Sequence, residues 1–210
     1  KVLDRPDWYD LSDCVFVLLG AGSAMGPFEL LLELGANIIC IDLDGKFSPR
    51  SKANWQRLIR LARESRGTIT IPVPKGGDPK RGDDYDENLA QVAGCNLLTQ
   101  TPEIALWLSE QHDTSRPFII GAYAYLDGPM FVKVSMAMDA IIETVCRSVG
   151  VGGVTQAIFG GDIKKPAIAY LCTPTDAHLV PYAAVAAASR NWNGRPLWQH
   201  LMTVPMMAFG

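Results

Sequence analysis

Three shortages bound what this 210-residue chain can be. It has no run of about 20 apolar residues, the length a helix needs to cross a bilayer. Its uncharged segment Cys14–Phe28 is interrupted by Gly20, Gly22, Gly26 and Pro27, so no membrane span is expected. It has no concentrated charge of one sign: 19 Lys and Arg stand against 22 Asp and Glu, net -3. A phosphate backbone is usually met by a dense basic face, so nucleic acid is not an expected partner. It is also poor in metal-ligand patterns. The five cysteines, Cys14, Cys40, Cys95, Cys146 and Cys172, are odd in number, widely spaced and form no Cys-x-x-Cys pair. With only His112, His178 and His200 beside them, no zinc site is expected. The thiols read as small buried apolar groups in a reducing compartment, cytoplasm or organelle interior. The opening Lys1-Val2-Leu3-Asp4 does not resemble a secretory signal and lacks Met, which leaves a processed or trimmed chain open.

What is present is ordinary for a globular domain: 48% hydrophobic and 20% charged residues. Short apolar runs rich in Val and Ile predict strands near Cys14–Leu19, Asn37–Asp42, Thr68–Val73, Cys95–Thr99, Phe118–Gly121 and Ala167–Cys172. Continuous apolar runs of this length suit strands buried on both faces. Helix-period segments predict helices near Ala24–Leu34, Lys52–Ser65, Asp84–Val92, Pro102–Gln111, Met130–Val149 and Tyr182–Ser189. Pro27 suits a first turn, Gly35 a C-terminal cap, and Thr101-Pro102-Glu103 a capped start. Pro74–Gly82 and Gly150–Lys165 read as loops. Strand alternating with helix gives an α/β class, a doubly wound and mostly parallel sheet of about six strands in the order 3-2-1-4-5-6, with helices on both faces. Residues 1–190 form one such domain in this reading. Residues 191–210, with Trp192, Trp198, Leu201, Met202, Met206, Met207 and Phe209, form an apolar arm. An exposed apolar arm fits a protein partner, and a folded-back one fits a lid or packing segment.

The segment Leu19-Gly20-Ala21-Gly22-Ser23-Ala24-Met25-Gly26 follows the first strand and opens a helix. Glycine there permits a tight turn and lets backbone N–H groups approach a pyrophosphate, with the positive end of the helix behind them. Twenty residues after Gly22, Asp42 ends the second strand. A carboxylate at that place accepts from ribose hydroxyls and repels a 2′-phosphate, favouring NAD over NADP. The expected cofactor-binding set is Gly20, Gly22, Ser23, Ala24, Met25, Gly26, Asp42, Gly121 and Pro174. Two other readings stay open. One is a scaffold that kept the turn and lost its ligand. The other is a methyltransferase, although Leu18 and Leu19 stand where that class usually has an acid.

The glycine turn, the entry Leu34-Gly35-Ala36-Asn37 and the acid at Asp42 resemble the short-chain dehydrogenase/reductase family over roughly Cys14 to Thr175. Several motifs depart from that pattern. Leu19 replaces the usual Thr, and Ala24 the middle glycine. Cys95-Asn96-Leu97-Leu98-Thr99-Gln100 lacks the Asn-Asn-Ala-Gly run. Gly121 and Ala122 stand where the fifth strand normally ends in Ser. Pro174 is followed by Thr175 rather than Gly. The resemblance implies a Tyr and a Lys four apart on the helix after the fifth strand. In Phe131–Ala140 the two candidate registers give Val132 with Met136, or Ser135 with Asp139. No Tyr-x-x-x-Lys exists anywhere in the chain. Hydride transfer to a carbonyl needs a proton donor of matched pKa. The expected function is therefore a degenerate, NAD(P)-binding relative serving as an accessory or structural subunit. The alternative is an active NAD(P)-dependent oxidoreductase using Tyr123 or Tyr125 as donor, with Lys133 nearby. Asp176 and His178 form a further candidate acid–base pair.

Overall fold

A computed structural model describes residues 9–79, 81–113, 115–148, 166–171 and 182–194. The chain divides into two compact units, 1–171 and 172–210. In the first, five parallel strands form one sheet: β1 (Val15–Leu19), β2 (Asn37–Ile41), β3 (Thr68–Thr70), β4 (Phe118–Ala122) and β5 (Ala167–Tyr170), in the order β3-β2-β1-β4-β5. Five helices accompany them: α1 (Phe28–Glu33), α2 (Pro49–Glu64), α3 (Tyr85–Val92), α4 (Thr101–Gln111) and α5 (Met130–Ser148). In the second unit, α6 spans Tyr182–Asn193. The α/β class, the parallel sheet and helices on both faces agree with the reading of the sequence.

The core follows from the two-residue period of β1. Val15, Val17 and Leu19 point to one face, where they meet Phe118 and Ile120 of β4, Ile104 and Leu108 of α4, and Ile141, Ile142 and Val145 of α5. Leu18 points to the other, with Ile38 and Cys40 of β2, Phe28 and Leu32 of α1, and Trp55 and Leu58 of α2. β1 pairs with β2 (Val17 opposite Ile39) and with β4 (Val17 opposite Ile120), so its apolar run is covered on every side. Helix α2 starts where Ser48 and Ser51 exchange side-chain-to-backbone hydrogen bonds of 3.1 and 2.9 Å, a capping box ahead of a long amphipathic run.

Several expectations are corrected. Cys95–Thr99 is not a strand. The Asn96 side chain accepts from the Leu98 N–H (2.9 Å), the Gln100 side chain accepts from the Asn96 N–H (2.8 Å), and the Gln100 N–H donates to the Asn96 carbonyl (2.9 Å). Backbone groups that a ladder needs are engaged in a local turn. The strand after β3 in the sheet's chain order is therefore Phe118–Ala122, and it lies directly beside β1. The sheet has five strands among the described residues, in the order 3-2-1-4-5. β3 is shorter than predicted, ending at Thr70. Helix α1 starts at Phe28 rather than Ala24, because residues 20–26 close successive turns, Ser23 N–H to Gly20 O and Gly26 N–H to Ser23 O, each 3.0 Å. Thr101 does not cap α4 from outside; it lies in the first turn and donates its hydroxyl to Leu97 O (2.5 Å), with Gln100 at the cap position. The predicted loop 150–165 and most of the 191–210 arm lie outside the described residues.

Cys40, Cys95 and Cys146 are buried free thiols and Cys14 is partly buried, while Cys172 lies outside the described residues. Burial raises the pKa of each of the four, Cys14 to about 11 and Cys95 to about 12, so they are inert near neutrality. Among the described residues, no helix is long and apolar enough to cross a membrane, and no cluster of His, Cys, Asp or Glu is arranged to hold a metal.

Two stability predictions follow from this core. Ile120→Ala, at a position with no solvent exposure, should cost about 2–5 kcal/mol in urea unfolding, whereas Leu106→Ala on an exposed face should stay within about 0.5 kcal/mol. His112 sits edge-on to Phe118, ring centroids 5.0 Å apart, and its Nε2 has no hydrogen-bond partner among the described residues. Burial lowers its pKa, opposed in part by Asp113. A base whose folded pKa is depressed adds stability above its unfolded pKa of about 6.5, and this is lost as pH falls through the lowered folded value. The melting temperature should drop on acidification through that window, and His112→Phe should flatten that part of the profile.

Candidate functional site

The candidate site is built where β1, β2 and β4 end on the same edge of the sheet. Open α/β sheets bind ligands at the carboxyl ends of their strands, in the crevice where the strand order reverses. Here that reversal falls between β1 and β4. The loop Gly20–Gly26 leaves β1 at this edge, and Asp42 follows β2 immediately. The sequence brings the two together as expected, and their contact is direct.

The Gly22 N–H donates to Asp42 Oδ2 at 2.6 Å. The Leu43 N–H donates to Asp42 Oδ1 at 2.7 Å, and Asn54 Nδ2 of α2 reaches Oδ2 at 3.3 Å. Burial raises the Asp42 pKa, and these three donors together with the charge of Arg57 oppose it. An ionised carboxylate has about four acceptor positions. Three are filled by the protein itself, so at most one remains for a ribose hydroxyl.

The loop's own donors are largely engaged as well. Gly20 and Ala21 both donate to Ile41 O, at 2.8 and 3.1 Å. With the Gly22 bond to Asp42 and the two turn bonds of Ser23 and Gly26, five N–H groups of the segment Gly20–Gly26 have protein acceptors. Those of Ala24 and Met25 have no acceptor among the described residues, and both residues are exposed.

The glycines are also accounted for by the protein's own packing. Gly20 has φ +93°, and a Cβ there would strike the backbone of Ala124. The chain leaving β4 crosses over it, with the N–H groups of Tyr123 and Ala124 both 2.8 Å from Leu19 O. A Cβ on Gly22 would overlap the Asn54 carboxamide. The close approach that these two glycines permit is therefore made, in this structure, by Ala124 and Asn54 of the protein itself. Helix α1 starts six residues beyond Gly22 and is six residues long, so its positive end is not directed by the glycine turn itself.

The remaining predicted residues separate. Gly121 is the next-to-last residue of β4, and the Tyr123 ring lies where its Cβ would be. Tyr123 is half-buried against the α1–α2 side of the core, and burial raises its pKa further from the range of an effective donor at neutral pH. Tyr125 is exposed and tilts against Phe131, ring centroids 5.6 Å apart. Lys133 is exposed on α5, and no hydrogen bond joins it to either tyrosine. Pro174, Asp176 and His178 lie outside the described residues.

Moving β4 beside β1 also moves the comparison with the dehydrogenase pattern. The long helix α5 follows the fourth strand. The next helix among the described residues is α6, in the second unit, which opens at Tyr182, a residue 87% exposed. Four residues on stands Ala186, so Tyr182-Ala183-Ala184-Val185-Ala186 offers the phenol without the amine. Asn54 was missed because a polar residue on a helix face carries no signal until the loop it touches is known.

If Asn54 is what requires Gly22, the two substitutions must be coupled. Gly22→Ala should destabilise by about 1–2 kcal/mol, the range for displacing a packed, hydrogen-bonded side chain. In an Asn54→Ala background the same change should cost under about 0.5 kcal/mol. A double-mutant cycle by denaturant unfolding measures the difference; additive costs would separate Gly22 from Asn54.

No protein-family model, no curated protein and no solved structure matches this chain.

Proposed function

We propose that this chain is a Rossmann-type protein of the NAD-binding kind that has lost carbonyl-reducing chemistry and serves as an accessory or structural subunit. Its resemblance to short-chain dehydrogenases supports this reading through the order of parts: strand, glycine turn, helix, strand, acid. The observation that carries it is the pairing of Asp42 with the Gly22 loop at the edge where the strand order reverses. That geometry keeps the elements of a nucleotide site and turns their hydrogen-bonding groups on one another.

The loss of chemistry is supported independently. A reductase of this kind needs a phenol whose pKa is lowered by an adjacent amine. Tyr123 is shifted in the opposite direction by burial, Tyr125 and Lys133 have no hydrogen bond between them, and Tyr182 has Ala186 in place of Lys. The exposed apolar residues Val132 and Met136 on α5 are compatible with a protein partner.

The test is a fluorescence titration with NADH, followed by a carbonyl-substrate screen with NADH and NADPH. The expected outcome is weak, saturable NADH binding, weaker still for NADPH because Asp42 opposes a 2′-phosphate, and no turnover. Turnover that disappears in Tyr123→Phe, Tyr125→Phe or Tyr182→Phe would replace this reading with an active oxidoreductase. Absence of any saturable nucleotide binding would leave a scaffold without a ligand.

A further inference from the structure

The carboxylate that should meet a ribose, the amide that should meet a phosphate and the space beneath that amide are all occupied by one small cluster: Asp42, Gly22 and Asn54. These residues come from the end of β2, the glycine loop and the second turn of α2. We infer that Asn54 and Asp42 form a latch that holds the Gly20–Gly26 loop closed, so that nucleotide binding requires the latch to open. The inference rests on the proposed nucleotide-binding function and adds its regulation.

The geometry gives the latch two parts. Asp42 Oδ2 is shared between the Gly22 N–H (2.6 Å) and Asn54 Nδ2 (3.3 Å), so one oxygen ties the loop and the helix together. The Asn54 carboxamide also fills the volume that the absent Gly22 side chain leaves. An anion approaching Gly22 therefore meets a donor that is already engaged and a cavity that is already filled. Helix α2 holds Asn54 in place from both sides. Its next residue, Trp55, is fully buried and donates its indole N–H to Leu43 O at 2.8 Å, and the Ser48–Ser51 capping box fixes the helix start. Arg57, one turn on, pairs with Glu29 of α1 at 2.7 Å, which links α2 to the helix beyond the loop.

Opening needs only a side-chain movement. Asn54 is partly exposed, and a rotation about its side-chain bonds would remove one of the two donors on Asp42 Oδ2 and vacate the space under Gly22 without moving α2. The rotation would free one acceptor position on Asp42 Oδ2 for a ribose hydroxyl and the space beneath Gly22, leaving the Gly22 N–H on Asp42 as the one contact a phosphate must compete for. A ligand that must first open such a contact binds more weakly by the fraction of molecules already open.

The experiment compares the full-length wild type with Asn54→Ala and with Asn54→Ser, using whichever variants keep the wild-type circular dichroism spectrum. Two readouts are taken. Hydrogen exchange followed by mass spectrometry reports the loop peptide, and NADH fluorescence reports binding, with ADP as competitor. The latch requires faster exchange in the loop peptide of a variant and NADH binding tightened by about tenfold, the effect of removing roughly one hydrogen bond from the closed state. Unchanged exchange overturns the latch whatever the binding. Faster exchange with unchanged, measurable NADH affinity overturns the gating and leaves the nucleotide reading standing. Faster exchange with no binding of NADH or ADP by any of the proteins overturns both. The wild type alone gives a further reading: on saturation with NADH, the Asn54 side-chain amide resonances should move toward solvent-like values, and resonances that stay fixed while the nucleotide binds overturn the latch.

Discussion

A carboxylate withdrawn from water keeps its charge only if donors replace the solvent it has lost. Asp42 meets that condition at the point where β2 leaves the sheet, and much of the local structure converges on it. Its side chain takes the N–H of Gly22 from the loop after β1, the N–H of Leu43 from its own chain, and the amide of Asn54 from α2. Its backbone carbonyl takes the N–H of Cys95, which anchors the turn that replaced an expected strand. Three segments far apart in sequence are thus tied to one residue. Leaving any of these donors without an acceptor in a part-buried place would cost about 1–3 kcal/mol, so the cluster is satisfied as a unit.

That constraint changes how the glycines are understood. Glycine is required wherever a backbone must be approached closely, and the approaching group can be a phosphate or another part of the same protein. At Gly20 the approaching group is the Ala124 backbone, together with a positive φ; at Gly22 it is the Asn54 carboxamide. Both uses produce the same letters in the sequence. They are separated only by the partner, and the partner is a single asparagine with no pattern around it. The short α1 adds to this: six residues beginning at Phe28 leave the turns of Ala21–Gly26 to satisfy their own hydrogen bonds.

The fold was legible where burial has a period. Alternation in β1, with Val15, Val17 and Leu19 on one face and Leu18 on the other, together with the apolar stripes of α2 and α5, sufficed for a parallel sheet covered on both sides. Asp42 and the glycine turn were legible as neighbours because strand–turn–helix–strand order fixes where such residues emerge. Cys95–Thr99 misled because its apolar letters match a strand while Asn96 and Gln100 capture the backbone locally. Such capture depends on side-chain geometry, which composition does not encode. That one error shifted the strand count by one, so that α5 follows the fourth strand rather than the fifth.

The displaced count does not restore the missing chemistry, and the reason is geometric. A proton donor and the amine that tunes it must sit one helical turn apart to face the same substrate. On α5 the corresponding positions hold Val132 with Met136, or Ser135 with Asp139. On α6 they hold Tyr182 with Ala186. Proton transfer to a carbonyl near neutral pH needs a donor of matched acidity, which an adjacent amine on the same helix face would supply. Burial raises the pKa of Tyr123, whose ring packs over Gly121, away from such a match. Among the described residues, no phenol and amine stand one helical turn apart at either of these helices, and the acid and glycine loop that the proposed nucleotide reading rests on hold each other instead.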